Sequence, residues 1–170
     1  MKKFELTSEF VTFLGKKLFR IKALVSFGDV KEGELGGLVE KEENLDQSGN
    51  AWVSGNAWVY GNAWVSGNAW VSGDALVYGD ALVYGDARVY GDARVQNCRD
   101  YSATSCFGSE NRTTTFFRTK DGGISVRCGC FYGTLNEFRE KVKERHGDSR
   151  LAKEYLMLAD LMEFRLSKDE

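Results

Sequence analysis

From Ser48 to Val95 the chain reads SGNAWV, SGNAWV, YGNAWV, SGNAWV, SGDALV, YGDALV, YGDARV and YGDARV, eight hexapeptides joined without a break. Repetition at a short fixed period is the mark of a solenoid, in which each unit buries its apolar side against its neighbours. Within each copy Ala, the variable residue, Val and the following Ser or Tyr alternate in character. That is the period of a strand, with Ala and Val to one side and Trp, Leu or Arg to the other. Gly followed by Asn or Asp then breaks the strand, because these residues best tolerate positive φ and the Asn or Asp side chain can bond local backbone groups. Each hexapeptide is therefore one short strand and one corner. The chain has 19 glycines and no proline among its 170 residues. Such a balance suits turns repeated inside hydrogen-bonded structure better than a flexible linker.

The Val-x-Gly-Asn/Asp-Ala-x register resembles the hexapeptide repeat of left-handed parallel β-helices, over 48 of 170 residues. The resemblance implies that three hexapeptides make one triangular coil, with the aliphatic residue inside and a small residue two places before it. The whole chain also resembles hexapeptide-repeat proteins of unassigned function from phages and prophages of gut bacteria. The strings GELGGLVEKEENL (residues 33–45) and CGCFYGTLNEF (residues 128–138) carry this second likeness.

Working outward, Phe10–Leu14 and Lys17–Leu24 read as a hairpin around Gly15. Leu38-Val39 begins the first irregular coil, and residues 96–112 lose the motif and read as a degenerate coil or an exit. Thr113–Thr119 and Ile124–Cys130 flank Lys120-Asp121-Gly122-Gly123, a hairpin turn. Thr134, with Glu137 three residues on, makes a capping box for a helix ended by Gly147. A longer helix then starts at Asp148 or Ser149 and runs to about Ser167. Its apolar residues (Leu151, Tyr155, Leu156, Met157, Leu158, Leu161, Met162, Phe164, Leu166) span an arc too wide for one covered side, so they require cover on two. The expected fold is mainly β: an N-terminal β-hairpin cap (1–35), a left-handed parallel β-helix (36–112), and a C-terminal β-hairpin with two α-helices (113–170).

Charge narrows the function. Lys and Arg total 23 against 25 Asp and Glu, a net charge of −2. Residues 1–47, 48–95 and 96–170 carry −1, −2 and +1, so no basic tract neutralises phosphates and general nucleic-acid binding is disfavoured. No apolar run approaches the ~18–20 residues of a membrane span, and no signal-peptide core follows Met1. The expected location is the cytoplasm of a bacterial host cell.

Enzymes with this coil are mostly acyltransferases that use a histidine, and one carbonic anhydrase class holds zinc on three. The single histidine here, His146, excludes the three-histidine site by count. It reads as a helix-end residue placed by the helix dipole rather than an acyltransfer base. Asp74, Asp80, Asp86 and Asp92 alternate in role with Asn50, Asn56, Asn62 and Asn68, so they are corner residues rather than paired acids. Cys128-Gly129-Cys130 is too tight for the usual zinc spacing. Together with Cys98 and Cys106 it is expected to give reduced, largely buried thiols, with no metal and no cofactor.

The outward positions decide the rest. With 18 residues per coil, Trp52, Trp70 and Arg88 stack on one face, Trp58, Leu76 and Arg94 on the second, and Trp64 and Leu82 on the third. Two readings compete for this ladder of Trp52, Trp58, Trp64, Trp70, Leu76 and Leu82. It packs under the end pieces and sister subunits, or part of it forms a groove in which tryptophan and arginine planes hold a flat molecule. The Trp end is expected to be the more occluded. Arg88 and Arg94, with Tyr84 and Tyr90, form the candidate ligand site, unless the arginines merely pair with Asp86, Asp92 or a neighbouring subunit. The expected function is that of a non-catalytic oligomeric binding protein, most simply a homotrimer, that sequesters or inhibits a host molecule such as a nucleotide signal of antiviral defence. A hexapeptide-type acyltransferase and a structural spacer or virion part are the alternatives.

Overall fold

In the computed structural model, which describes residues 1–167, the repeats form a β-solenoid. Its rungs are eight two-residue strands: β4 (Trp52–Val53), β5 (Trp58–Val59), β6 (Trp64–Val65), β7 (Trp70–Val71), β8 (Leu76–Val77), β9 (Leu82–Val83), β10 (Arg88–Val89) and β11 (Arg94–Val95). Parallel partners lie 18 residues apart, Trp52 with Trp70 and Trp70 with Arg88, Trp58 with Leu76 and Leu76 with Arg94, Trp64 with Leu82. The three predicted stacks are those observed. Every repeat Ala and Val is buried, so the interior is a narrow column of small aliphatic groups.

The corners explain why the repeat tolerates so little variation. Gly49 to Gly91 all adopt φ between 63° and 73°, the left-handed region where a side chain is costly. Stacking adds a second demand, since a Cβ on Gly73 would lie 2.8 Å from the Gly91 nitrogen. Beside each glycine the Asn side chains form ladders. Asn50 Nδ2 donates to Asn68 Oδ1 at 3.1 Å and Asn68 Nδ2 to Asp86 Oδ1 at 3.0 Å; Asn56 donates to Asp74 and Asn62 to Asp80 in the same way. An amide both donates and accepts whereas a carboxylate only accepts, so Asp closes a ladder that Asn begins.

Both ends of the solenoid are covered, which removes the exposed strand edges that invite aggregation. At the N-terminal end β1 (Phe4–Phe13) and β2 (Lys16–Ala23) form an antiparallel hairpin, and β2 pairs with β3 (Leu35–Val39), which pairs in parallel with β5. Phe27 and Ile21 close over Trp52, which is fully buried. Gly36 permits this, because a Cβ there would lie 2.5 Å from both Ile21 Cγ1 and the Val53 oxygen. The cost of the closure is one orphan: Trp52 Nε1 is buried without a hydrogen-bond partner, a penalty of about 1–3 kcal/mol. Lys3 is drawn in as well, its Nζ donating to the Ala51 oxygen at 2.9 Å. Burial lowers its pKa to about 8, against a raising contribution from Asp46.

At the other end β12 (Tyr101–Phe107), β13 (Arg112–Arg118), β14 (Ile124–Cys128) and β15 (Phe131–Thr134) make an antiparallel sheet. Residues 101–107, read from the sequence as coil or exit, belong to this sheet, because β12 pairs along β13 rather than with a solenoid rung. Strand alternation gives β13 two buried faces. Phe117 joins the solenoid core, and Thr115 Oγ1 accepts from the Arg88 N–H at 2.9 Å. Phe116 instead packs with the helices α1 (Leu135–His146) and α2 (Arg150–Leu166). Asp100 locks the exit, accepting from the N–H groups of Gln96 and Asn97 and pairing with Arg118 at 3.1 Å.

The capping box at Thr134 and Glu137 is present, and Ser149 caps α2. One expectation fails. Cys98, Cys106 and Cys130 are exposed and Cys128 is half-buried, all as free thiols. Cys98, Cys106 and Cys130 sit in the exit turn, a bulge and the β14–β15 turn, where no second layer covers them, while Cys128 ends β14 and packs against the sheet–helix cluster. Within one chain α2 is covered on a single side: Met157, Leu161 and Phe164 lie open, Phe164 at 85 % exposure.

Candidate functional site

Above the buried Trp52, the first solenoid face opens into a groove of about 900 Å³, within the roughly 300–1,000 Å³ range of small-molecule sites. Trp70 and Arg88 line it, two successive rungs of the same stack. The Arg88 Cζ lies 5.7 Å from the centre of the Trp70 ring, so a guanidinium and an indole are already paired there. Trp70 is itself held, its Nε1 donating to Ser54 Oγ at 3.0 Å.

The C-terminal sheet supplies a second wall, with Arg112, Thr113, Arg127 and Gly129. Arg127 is opposite Thr115 in the β13–β14 register, and so shares the strand face that meets the solenoid. Its guanidinium carbon is 5.9 Å from the Tyr90 ring, and Tyr90 in turn meets Tyr132 edge-on. Three arginines thus line one groove. Asp29 and Glu34, from the loop between β2 and β3, and Asp86, from a solenoid corner, line it as well. A groove so arranged can hold a flat ring against Trp70 and Arg88, an anionic group on the arginines, and hydrogen-bond donors on the carboxylates.

The four residues singled out from the sequence separate. Arg88 and Tyr90 line the groove. Tyr84 lines a smaller cavity of about 230 Å³, with Cys98, Tyr101 and Arg165. Arg94 lies on the second face, where its Nη1 donates to the backbone oxygens of Asp74, Asp92 and Ala93 at 3.0, 3.0 and 2.8 Å. All three contacts are to backbone oxygens, at the corner where Asp92 lies one coil beyond Asp74.

The ladder residues also separate. Trp52 is buried, Trp58 is half-buried against Phe13 with ring centres 5.1 Å apart, and Trp70 and Leu76 are half-buried. Trp64 and Leu82 stay open on the third face at 44 % and 41 % exposure. Arg112 and Arg127 were not singled out from the sequence. The available signal was parity: once Phe117 faces the solenoid, Arg127 follows on the neighbouring strand.

Among the described residues no group of three or more His, Cys, Asp and Glu side chains could hold a metal ion. Nor is any described helix long and apolar enough to cross a membrane. A family model described as the YdcK beta solenoid repeat matches residues 57–73 and 87–98, in line with the solenoid observed there. No curated protein matches the chain.

Proposed function

We propose that this protein is a non-catalytic, oligomeric binding protein whose groove along Trp70 and Arg88 takes a flat anionic molecule of the nucleotide class. The observation that carries the reading is the Arg88 guanidinium lying over the Trp70 indole within a groove that also presents Arg112 and Arg127. The ring of a nucleotide would stack on the indole, its phosphate would meet the arginines, and its amino or hydroxyl groups would meet Asp29, Glu34 or Asp86. The left-handed coil and the phage-type likeness of residues 33–45 and 128–138 belong to the same proposal, in which a phage-encoded protein sequesters a host nucleotide signal in the bacterial cytoplasm. Assembly as a trimer is supported by the open Trp64 and Leu82 and by the outer stripe of α2.

Thermal unfolding in the presence of a panel of nucleoside mono-, di- and cyclic phosphates and acyl-CoA tests the reading. A ligand at 100 times its Kd adds about 2.7 kcal/mol of stability, so a nucleotide should raise Tm by several degrees, and the rise should vanish in Arg88→Ala. No nucleotide response, or a response to acyl-CoA alone, would overturn it. Light scattering that shows a stable monomer at micromolar concentration would remove the oligomer from the proposal.

A further inference from the structure

A second cavity lies on the far side of the C-terminal sheet, between the tip of the β12–β13 hairpin and α1–α2, with a volume of about 270 Å³. Its apolar lining is Phe131, Phe138, Val142 and Tyr155. These belong to, or pack against, the cluster that joins the sheet to the helices, so the walls are fixed by the core. The hairpin tip is pinned over it: the Ser109 N–H donates to the Tyr155 hydroxyl at 3.2 Å, and Gly108 is obligatory because a Cβ there would collide with that hydroxyl.

The polar lining of this cavity is mostly cationic. Arg112, Lys141 and Arg145 contribute to it, beside the His146 ring, against one carboxylate, Glu110. Lys141 already pairs with Glu144 at 2.8 Å, and Arg112 stands 3.9 Å from Glu110. Arg145 has no hydrogen-bond or ion-pair partner among the described residues. It lies in the last turn of α1, whose exposed carbonyls attract a cation. Arg112 comes from a strand end and has no such compensation.

We infer that this cavity is a second binding site, for a small molecule with an aromatic or short aliphatic body and a single anionic head. The body fills the space between Phe131, Phe138 and Val142. The head stays at the cationic rim, where a charge-assisted hydrogen bond forms without full desolvation of the ion. The volume is under a third of the groove's and suits a one-ring body with its head at the rim. Arg112 and Gly129 line both cavities, so the two sites adjoin.

Titration calorimetry with phenyl phosphate and with the neutral analogue benzyl alcohol, on the full chain, tests the inference. Phenyl phosphate should bind with a sub-millimolar Kd and benzyl alcohol at least tenfold more weakly. The double variant Lys141→Gln, Arg145→Gln changes two exposed side chains and should fold. It should weaken phenyl phosphate at least tenfold, while Arg88→Ala, which touches only the groove, leaves that affinity unchanged. Chemical-shift changes on the parent protein should centre on Val142 and Phe138. No binding, equal binding of the alcohol, or loss in Arg88→Ala with the double variant unaffected would overturn the site. Neither of the first two results would bear on nucleotide binding in the groove.

Discussion

The two ends of the first solenoid face occupy the same place in the same repeat and meet opposite surroundings. Trp52 is sealed under Phe27 and Ile21, while Arg88, two rungs along, lines an open groove. The interior behind them is identical, Val53 and Val89 both fully buried. The difference therefore lies outside the repeat, in what each end piece lays over the face. The N-terminal hairpin closes down on an indole, and the C-terminal sheet stands off and leaves room for a ligand. A repeat unit supplies a constant core, and the caps decide which part of its surface is structural and which is free to bind.

The comparison breaks first at Trp52. Trp52→Ala should cost about 3–5 kcal/mol, seen as a drop of Tm by ten degrees or more, because the hairpin loses what it closes over. A loss below about 1 kcal/mol would mean that the N-terminal end does not depend on this indole.

The buried Lys3 sharpens the same end through pH. Its folded pKa of about 8 is below the ordinary 10.5, so the unfolded chain binds the extra proton between these values. Stability should therefore rise with pH through that window, by up to roughly 1.4 kcal/mol per unit. Lys3→Met should lack the rise whatever its absolute stability. Above about pH 11, where Lys3 has lost its proton in both states, both proteins should decline alike, since burial raises the pKa of Tyr60, Tyr101 and Tyr132 and the unfolded phenols ionise first. Parallel curves for the two proteins between pH 8 and 10 would show that Lys3 is not buried as a cation.

The smallest effects come from the two arginines. Arg94→Ala should cost about 1 kcal/mol, because the Asp74 oxygen loses its donor while the Ala93 and Asp92 oxygens keep the N–H groups of Leu76 and Lys120; the nucleotide response should stay intact. Arg88→Ala should cost no more than about 1 kcal/mol and abolish that response. Chemical denaturation and the thermal-shift panel, run on both variants, read the two results separately. A reversal of roles would move the candidate site to the second face.

Strand, corner and stacking were legible because each is a property of one hexapeptide and its neighbour 18 residues away. Tandem identity leaves no freedom in which residues pair: alternation buries Ala and Val, glycine takes the left-handed corner, and Asn and Asp line the turns. The capping box at Thr134 was legible for the same local reason. The residues at 101–107 were misread because the loss of a motif says that the coil has ended and says nothing of what the chain pairs with next. The thiols were misread from composition, since burial of a cysteine depends on whether a second layer covers it.

Arg88 and Arg94 mark the limit. Both stand in the hexapeptide YGDARV, so local sequence could not assign them different work. Tertiary structure does, because the triangular section of the coil sends them to different faces. One meets Trp70 and the arginines of a distant sheet, and the other meets the corner where Asp92 lies one coil beyond Asp74. The repeat by itself determined the body of this protein. Which of its side chains are free to bind was decided only by segments far along the chain folding over some faces and not others, since burial and field at a surface depend on what lies above it.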